Sequence, residues 1–305
     1  MVRMIDIFSA VFPVFIALFL GIYAREKRIL TAEGVSQIKK VIVNFTLPAV
    51  SLSAVAKADY SGKNIFIPLW IFVVCFLGLG MGFLLRRLFK IESRILPYLC
   101  TAFEGGMIGY SLYPILYGDL SPLAVPVLGN VVFIFTFYKI MLAGAHGKRA
   151  VLHEALSSAS LWAVGIGLIL GVSGIYRQMV TTGTAVLFEK ILSFISAPTS
   201  FMILLCIGFD WDPRQIQWKN TFLLVFSRWV IMLCLFGLTL LVNRCFLESQ
   251  IKLSASVMLF SLPAPFVLPA FSHEEKEAGL IASALSVMTV FSILVFVCMA
   301  IFQIN

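Results

Sequence analysis

Long apolar stretches separated by short polar segments run along the whole chain. Each stretch is close to the ~20 residues that a helix needs to cross about 30 Å of hydrocarbon. Backbone groups in lipid must be bonded within the protein, so these stretches predict helices, and the short alternating strands of a β-barrel are not seen. The expected fold is an all-α, polytopic membrane protein with about ten transmembrane helices. The predicted spans are 5–24, 38–56, 65–85, 95–117, 121–144, 157–176, 186–208, 220–242, 252–271 and 279–303.

Composition agrees with a membrane protein and excludes a large soluble globule. The 305 residues are 60% hydrophobic and 12% charged, whereas soluble domains carry roughly a quarter charged residues. The net charge of +8 comes from basic residues in the short polar segments. Such loops face anionic lipid, so we expect membrane lipid and not nucleic acid as the charged partner. The cysteines and histidines lack metal-ligand spacing, and we expect no metal and no cofactor.

Lys and Arg are more frequent in the loops on one side of the predicted membrane. The positive-inside rule places that side, which includes the loop after the first span, in the cytoplasm. Both termini then lie outside the cytoplasm, in a multi-pass protein of the cytoplasmic membrane. Arg25 and Lys27 directly follow the first span, which indicates a retained span and not a removed signal peptide. Lys139 and Arg228 lie inside spans, near the cytoplasmic ends, where we expect both to snorkel to the headgroups.

Two short motifs recur in the two halves of the chain. A lysine and a proline with the same spacing occur at 40–48 in span two and, about 150 residues later, at 190–198 in span seven. A Glu-Ser-x-Ile motif precedes span four and occurs again before span nine. Each half contains an odd number of predicted spans, which turns the second half over in the membrane. The sequence therefore predicts two inverted five-helix repeats, at 1–150 and 151–305.

Spans four and nine contain residues that interrupt helices at corresponding positions. Span four has a cluster of glycines followed by Pro114, and span nine has three prolines between apolar residues. Glycine and proline are common in membrane helices, but this clustering favours true breaks. Free N–H groups at one stub favour anions, and free C=O groups at the other favour cations or donors. The prolines expected at helix breaks are Pro48, Pro114, Pro198, Pro263, Pro265 and Pro269.

Glu104 is the deepest carboxylate, about 14 Å into span four at 1.5 Å per residue. Inserting an acidic residue at the midplane costs about 2.5–3.5 kcal/mol. Two interpretations stay open: a carboxylate for substrate binding or proton coupling, or a neutral acid hydrogen-bonded to a carbonyl of the broken helix. Asn44 and Asn130 are further candidates to face the cavity, with structural hydrogen bonds as their alternative. The predicted substrate-binding or coupling residues are Glu104, Asn44, Asn130, Gly105, Gly106, Gly109 and Ser111.

Three motifs carry a resemblance to a known family. Val-Asn-Phe-Thr-Leu-Pro-Ala at 43–49 resembles the family's Asn-x-x-Leu-Pro-Ala in span two, and 104–118 resembles its Asn-x-Gly-x-x-Gly-x-Pro segment in span four. Leu-Pro at 262–263 resembles its span-nine break. Over nearly the whole chain, the sequence is similar to the auxin efflux carrier family in its bacterial branch, within the wider group of bile-acid, auxin and arsenite-type transporters. It departs at Glu104, where the family has Asn, and at Ser111, where the family has Pro.

The resemblance implies a mobile crossover domain and a scaffold domain that give elevator-type alternating access. It implies a secondary active transporter for a small organic anion such as a carboxylate. An ionised Glu104 repels anions, whereas a protonated one binds them, which would make the protein a symporter coupled to protons; a sodium ion is the other expected coupling ion. Related folds dimerise through the scaffold domain, so a homodimer is among the expected assemblies. A membrane receptor on the same fold is the alternative, and no enzyme is expected because Glu104 stands without a catalytic cluster.

Overall fold

Every regular element in the described part of the chain is a helix. The computed structural model describes residues 2–90, 94–138, 141, 158–212, 214, 216, 218–268 and 275–302. These ranges contain no strand, which confirms the all-α prediction. The helices are α1 (Val2–Glu26), α2 (Ala32–Lys57), α3 (Gly62–Leu88), α4 (Leu96–Leu99), α5 (Tyr110–Tyr117), α6 (Ser121–Tyr138), α7 (Ala159–Val172), α8 (Ile175–Thr181), α9 (Ala185–Asp210), α10 (Trp218–Cys245), α11 (Leu253–Ser261) and α12 (Glu275–Phe302).

Several of these helices are long and apolar enough to cross a membrane. In the described ranges six pass this test, in α2, α3, α6, α9, α10 and α12. The pair α7 and α8 adds a seventh if it counts as one span, bent by 68° at a short break. Large apolar side chains are exposed on the helices, such as Phe194 (85%) and Leu233 (71%). Lipid solvates such a surface, so the helices confirm a membrane protein with several spans. The count of ten spans stays a prediction.

The helix α2 shows how sequence sets a helix start and a local distortion. Thr31 caps the start, where its hydroxyl oxygen accepts a hydrogen bond from the backbone N–H of Gly34 at 3.1 Å. A π-helical turn at Ile42–Thr46 precedes Pro48. Proline has no N–H and crowds the preceding turn, and the wider turn makes room for its ring. The expected break at Pro48 is therefore wrong, because α2 continues through it to Lys57.

The other prolines differ in what they do. Pro114 lies inside α5 without ending it, so the break expected there is wrong. Pro198 separates the two straight parts of α9 at a short turn. Pro263 and Pro265 lie in the irregular stretch after α11, as expected, and Pro269 lies outside the described residues.

The helices pack as two groups. The frame group consists of α1, α2, α7, α8 and α9: α1 lies along the second half of α9, and α7 lies along the second half of α2. A Cβ built on Gly21 would lie 2.1 Å from the carbonyl oxygen of Leu205, and one on Gly171 would lie 3.1 Å from that of Val55. Glycine is needed for this close approach of two backbones. The crossover group consists of α3–α6 and α10–α12, in which α3 contacts α4, α6 and α10.

Two interrupted spans cross inside the crossover group. The first consists of α4, an irregular stretch at 100–104, and a π-helical turn at Gly105–Gly109 that leads into α5. The second consists of α11 and the irregular stretch 262–268. The backbone N–H of Glu104 donates to the carbonyl of Pro263 at 2.9 Å, so the two stretches meet. The first interruption thus precedes the glycines instead of lying among them, because the glycines continue as a helical turn.

Candidate functional site

Glu104 accepts hydrogen bonds from backbone N–H groups of both interrupted spans. Its Oε1 accepts a hydrogen bond from the backbone N–H of Met107 at 3.3 Å, at the start of the helical turn that leads into α5. Its Oε2 accepts one from the backbone N–H of Phe266 at 2.7 Å, in the stretch after α11. Converging N–H groups at a helix start are the geometry that binds anions in proteins. Both carboxyl oxygens therefore accept from N–H groups. The neutral-acid interpretation expected a carbonyl as the partner instead, so this geometry differs from it.

Arg228 joins the carbonyl ends of the same two spans. The side chain belongs to α10, is 1% exposed, and donates to the carbonyls of Leu99, Thr101, Ala102 and Leu262. These carbonyls follow the last turns of α4 and α11, where a helix leaves acceptors unpaired. The expectation that Arg228 snorkels to the headgroups is therefore wrong. Unpaired carbonyls inside the protein bind a guanidinium in place of water or lipid, and they offset the cost of burying its charge.

Asn130 supports the backbone next to Glu104. Its side-chain amide on α6 donates to the Phe103 carbonyl at 2.8 Å and accepts from the Phe103 N–H at 2.9 Å. Both backbone groups of this residue lie in an irregular stretch and would otherwise be buried without a partner. Asn130 is 1% exposed and borders the cavity described below. The sequence offered two alternatives for Asn130, a position at the cavity or a structural hydrogen bond. In the structure the residue has both.

Two predicted residues lie away from Glu104 and the cavity. Asn44 is exposed on α2, where its side chain donates to the Lys40 carbonyl one turn earlier at 2.8 Å. Ser111 is buried and donates to the carbonyl of Met107, while its own carbonyl accepts from the Ser200 hydroxyl at 3.2 Å. Neither belongs to the described residues that line the cavity. The structure therefore brings Glu104 and Asn130 together but not Asn44.

The three predicted glycines serve two different surfaces. A Cβ on Gly105 would lie 2.9 Å from two methyl carbons of Val127, and one on Gly109 would lie 3.1 Å from a leucine methyl. These two glycines allow α6 and α11 to pack against the turn. Gly106 faces the cavity, where the nearest atom to an added Cβ would be Glu104 Oε1 at 3.9 Å. Only Gly106 of the three therefore leaves space for a ligand beside the carboxyl.

A cavity of about 1170 Å³ lies between the two groups of helices. It extends from Glu104 to the ends of α2 and α9, where Lys39 Nζ lies 2.6 Å from Asp210 Oδ2. Its walls are mostly apolar side chains, including Phe103 and Phe266. Within the described residues, no three His, Cys, Asp or Glu side chains form a metal-binding group. The polar lining residues are Lys39, Ser51, Glu104, Asn130, Ser160, Asp210, Ser286 and Thr289.

Arg228 is the residue of this site that the sequence interpretation missed. It lies about 15 Å along α10 at 1.5 Å per residue, a depth similar to that of Glu104 in its span. A charged residue at such depth is costly in a membrane unless it has partners. Counting residues from the start of the span identified Glu104, and the same count would have identified Arg228 as a second deeply placed charged residue.

Comparisons with known proteins identify the family. Residues 6–160 match the family described as "Membrane transport protein", which is about half of the chain. A protein of Methanothermobacter thermautotrophicus described as an "Uncharacterized transporter" is 22% identical over 218 residues, which cover 68% of this chain and 69% of that protein. The first match spans the whole first interrupted span with Glu104 and Asn130. The chain therefore belongs to the membrane transport protein family, which is the family of the auxin efflux carriers that the motifs predicted.

Proposed function

We propose that this transporter is a secondary active carrier that moves a small organic anion of the carboxylate class across the cytoplasmic membrane and couples the movement to protons through Glu104. The single observation that carries the proposal is the position of the Glu104 carboxyl. It borders the cavity and accepts hydrogen bonds from the N–H groups of Met107 and Phe266, one in each interrupted span. Sites of this kind recognise substrate carboxylates in carriers with broken helices.

Competition for these two N–H groups gives a physical basis for coupling. A substrate carboxylate needs the same donors that the Glu104 carboxyl now occupies. If Glu104 takes up a proton, its carboxyl no longer needs two N–H donors, and the substrate replaces it. One proton and one carboxylate then enter together, and the net charge of the crossing region stays the same. An uncompensated second negative charge in this buried place would be costly.

We also propose that access alternates by an elevator motion and that the two inverted repeats provide its two alternative arrangements. Gly21 against Leu205 and Gly171 against Val55 are packing contacts related by a shift of about 150 residues in each partner. Lys39, Val43, Leu47 and Ser51 line the cavity along one face of α2. The same shift turns this row into Glu189, Ser193, Ala197 and Phe201 on α9. We expect the second row to line the cavity when it opens to the other side.

Flux measurements test the coupling. Purified protein in proteoliposomes is given a panel of radiolabelled carboxylates with an imposed pH gradient, as wild type, Glu104→Gln and the matched control Glu33→Gln on an exposed turn of α2. We expect gradient-driven flux in the wild type and in the control, and its loss in Glu104→Gln. Equal flux in all three would show that Glu104 is structural. Ligand binding without any flux would favour a receptor.

Cysteine labelling tests the alternating access. In a background without native cysteines, Val43→Cys and Ser193→Cys are exposed to membrane-impermeant thiol reagents from each side. We expect Val43→Cys to react from the cytoplasmic side and Ser193→Cys from the opposite side, with substrate changing the two rates in opposite directions. The control is Phe194→Cys, whose 85% exposed side chain faces lipid. Labelling of both test sites from one side only would exclude the proposed motion.

A second candidate substrate is an amphipathic amine. The charged residues among the described cavity lining are Lys39, Asp210 and Glu104, and the first two pair with each other at 2.6 Å. An ionised Glu104 then offers a negative charge to a cation inside apolar walls. The same proteoliposomes distinguish the two classes, because an amine would exchange for protons and move against the direction of a co-transported carboxylate. Glu104→Gln should abolish amine flux completely.

A further inference from the structure

Arg228 connects the two interrupted spans next to the point where they cross. Its Nη2 donates to the carbonyls of Ala102 and Leu262, both at 2.9 Å. One residue beyond Leu262, the carbonyl of Pro263 accepts the N–H of Glu104 at 2.9 Å. The guanidinium thus lies directly beside the backbone bond that joins the two stretches. Any change in this bridge would move the backbone from which the Glu104 side chain starts.

The bridge also holds an unfavourable backbone conformation. Ala102 has a positive φ of 53°, which is uncommon for a residue with a Cβ. This conformation points its carbonyl at Arg228 and directs the chain towards Phe103, whose backbone is paired with Asn130. Arg228 also contacts the ring face of Phe103, with 5.9 Å between the guanidinium carbon and the ring centroid.

Charge divides the crossing region into two complementary sides. Carbonyl ends of helices carry partial negative charge and amide ends carry partial positive charge. Arg228 lies at the carbonyl ends of α4 and α11, and Glu104 lies at the amide end of the turn that leads into α5 and also accepts from the N–H of Phe266. Glu104 borders the cavity, whereas Arg228 is 1% exposed and is not among the described lining residues. The acidic group is thus available to substrate, and the basic group acts only on the protein.

We propose that Arg228 is a positioning residue for transport, which holds the carbonyl ends of α4 and α11 and thereby keeps the Glu104 carboxyl between the N–H groups of Met107 and Phe266. The inference rests on the proposed function, because coupled transport is the activity that it affects. A guanidinium is a planar fork with five N–H donors and satisfies several carbonyls at once. Lysine keeps the charge but concentrates its donors at one point, so it should replace Arg228 only in part.

The flux test uses Arg228→Gln and Arg228→Lys, with Arg244→Gln as a control of the same residue type on an exposed position of α10. A displacement of about 1 Å in a site lowers activity by about 100-fold, and we expect this loss for Arg228→Gln. The residual flux should have lost its dependence on the pH gradient, because Glu104 no longer lies between the N–H groups of Met107 and Phe266. Arg228→Lys should recover part of the flux and of its gradient dependence, and Arg244→Gln should behave as wild type.

A second readout does not depend on transport. Cys100 follows α4 and is 0% exposed. With Cys100 as the sole cysteine, its reaction with a thiol reagent should be slow in the wild type and at least ~10-fold faster in Arg228→Gln, because local opening of the break exposes it. If the wild type carries no carboxylate, the proposed function fails while this labelling still tests the bridge. Coupled flux and protected Cys100 in Arg228→Gln would overturn the inference. If that variant is not recovered folded, Arg228→Lys decides: flux, gradient dependence and Cys100 labelling all equal to those of the wild type would overturn the inference.

Discussion

The frame group and the crossover group are held together by different interactions. In the frame group, backbones approach closely at glycines, and the helix ends are joined by exposed ion pairs such as Lys39–Asp210. In the crossover group, side chains bind the backbone of the interrupted spans: Glu104 accepts from two N–H groups, Arg228 donates to the carbonyl ends, and Asn130 pairs with Phe103. Regular helices need no such support, because their backbone groups pair internally.

This difference separates structural rigidity from the capacity to respond to a ligand. Close glycine packing has no alternative arrangement of similar energy and favours a fixed unit. A network of charged and polar groups around free helix ends responds to protonation or to an incoming anion, because its partners are exchangeable. The crossover group is therefore where ligand binding should change the structure. The four predictions below compare the two groups, from the largest expected effect to the smallest.

Replacing Arg228 should cause the largest loss of stability. In Arg228→Met the carbonyls of Leu99, Thr101, Ala102 and Leu262 lose a buried donor. A buried acceptor left without a donor costs about 1–3 kcal/mol, so the loss of several at once should exceed about 3 kcal/mol. Denaturant unfolding in detergent micelles should show a reduction of that size, and the exposed control Arg244→Met should stay within about 0.5 kcal/mol. A similar small effect for both variants would mean that the crossover group does not depend on its polar network.

The second-largest loss of stability is expected from a single methyl group added in the frame group. A Cβ on Gly208 would lie 2.0 Å from the carbonyl oxygen of Leu18, so Gly208→Ala forces α1 and α9 apart. Overpacking of this kind costs about 1–3 kcal/mol. Gly80→Ala on α3 is the control, since no atom lies within 4 Å of its Cβ position. It should be neutral or slightly stabilising, because alanine favours helices. Equal melting temperatures of the two variants would contradict close packing as the basis of the frame.

The third prediction compares two asparagines that both lie in apolar spans, Asn130 in the crossover group and Asn44 in the frame group. Replacing them should lower stability by different amounts. Asn130→Leu leaves both backbone groups of Phe103 without partners and should cost about 2 kcal/mol. Asn44→Leu on α2 removes one hydrogen bond within an exposed turn and should change stability by less than about 0.5 kcal/mol. Transport should fall in the first variant and persist in the second. If Asn44→Leu is the more damaging one, the assignment of α2 to the frame at that point is wrong.

The asparagines also show what the sequence could and could not predict. The interrupted spans and Glu104 followed from composition and depth, because clustered glycine and proline break helices and a deep carboxylate needs partners. The rotation of a helix about its axis did not follow. A polar residue in an apolar span gives the same pattern whether it is exposed on the helix surface, as Asn44 is, or bonded to a buried backbone, as Asn130 is. The partner decides between these cases, and it lies far away in the chain.

Arg228 and the first interruption illustrate the same limit. Snorkelling is the ordinary outcome for a basic residue in a span, and only the unpaired carbonyls of α4 and α11 reverse it. The carbonyls of α4 lie more than a hundred positions from Arg228 in the sequence, and the carbonyl after α11 lies a few dozen positions from it. In span four the glycines marked a weak helix, but the backbone leaves the helix before them, at 100–104. Tertiary contact with Pro263 fixes that point, and local propensity does not.

The smallest effects on stability are expected for the ion pairs at the two ends of the frame. Lys39 pairs with Asp210 at the cavity mouth, and Lys57 pairs with Glu189 at the opposite ends of α2 and α9. Both lysines are more than a third exposed, and solvent-accessible pairs contribute about 0.2–1 kcal/mol. Glu189 also keeps its hydrogen bonds from Ser53 and Tyr176. Lys39→Met and Lys57→Met should therefore both unfold nearly as the wild type does. Their transport phenotypes should differ by side. A lysine at the mouth raises the local concentration of an anion, so Lys39→Met should raise the KM for substrate added on the side of the Lys39–Asp210 pair, and Lys57→Met the KM for substrate added on the side of the Lys57–Glu189 pair. The measurement is uptake in proteoliposomes of known orientation, at low and at high salt. If both variants shift the KM for substrate added on the same side, the two lysines do not serve opposite ends of the frame group. If the KM shift persists at high salt, its origin is not electrostatic.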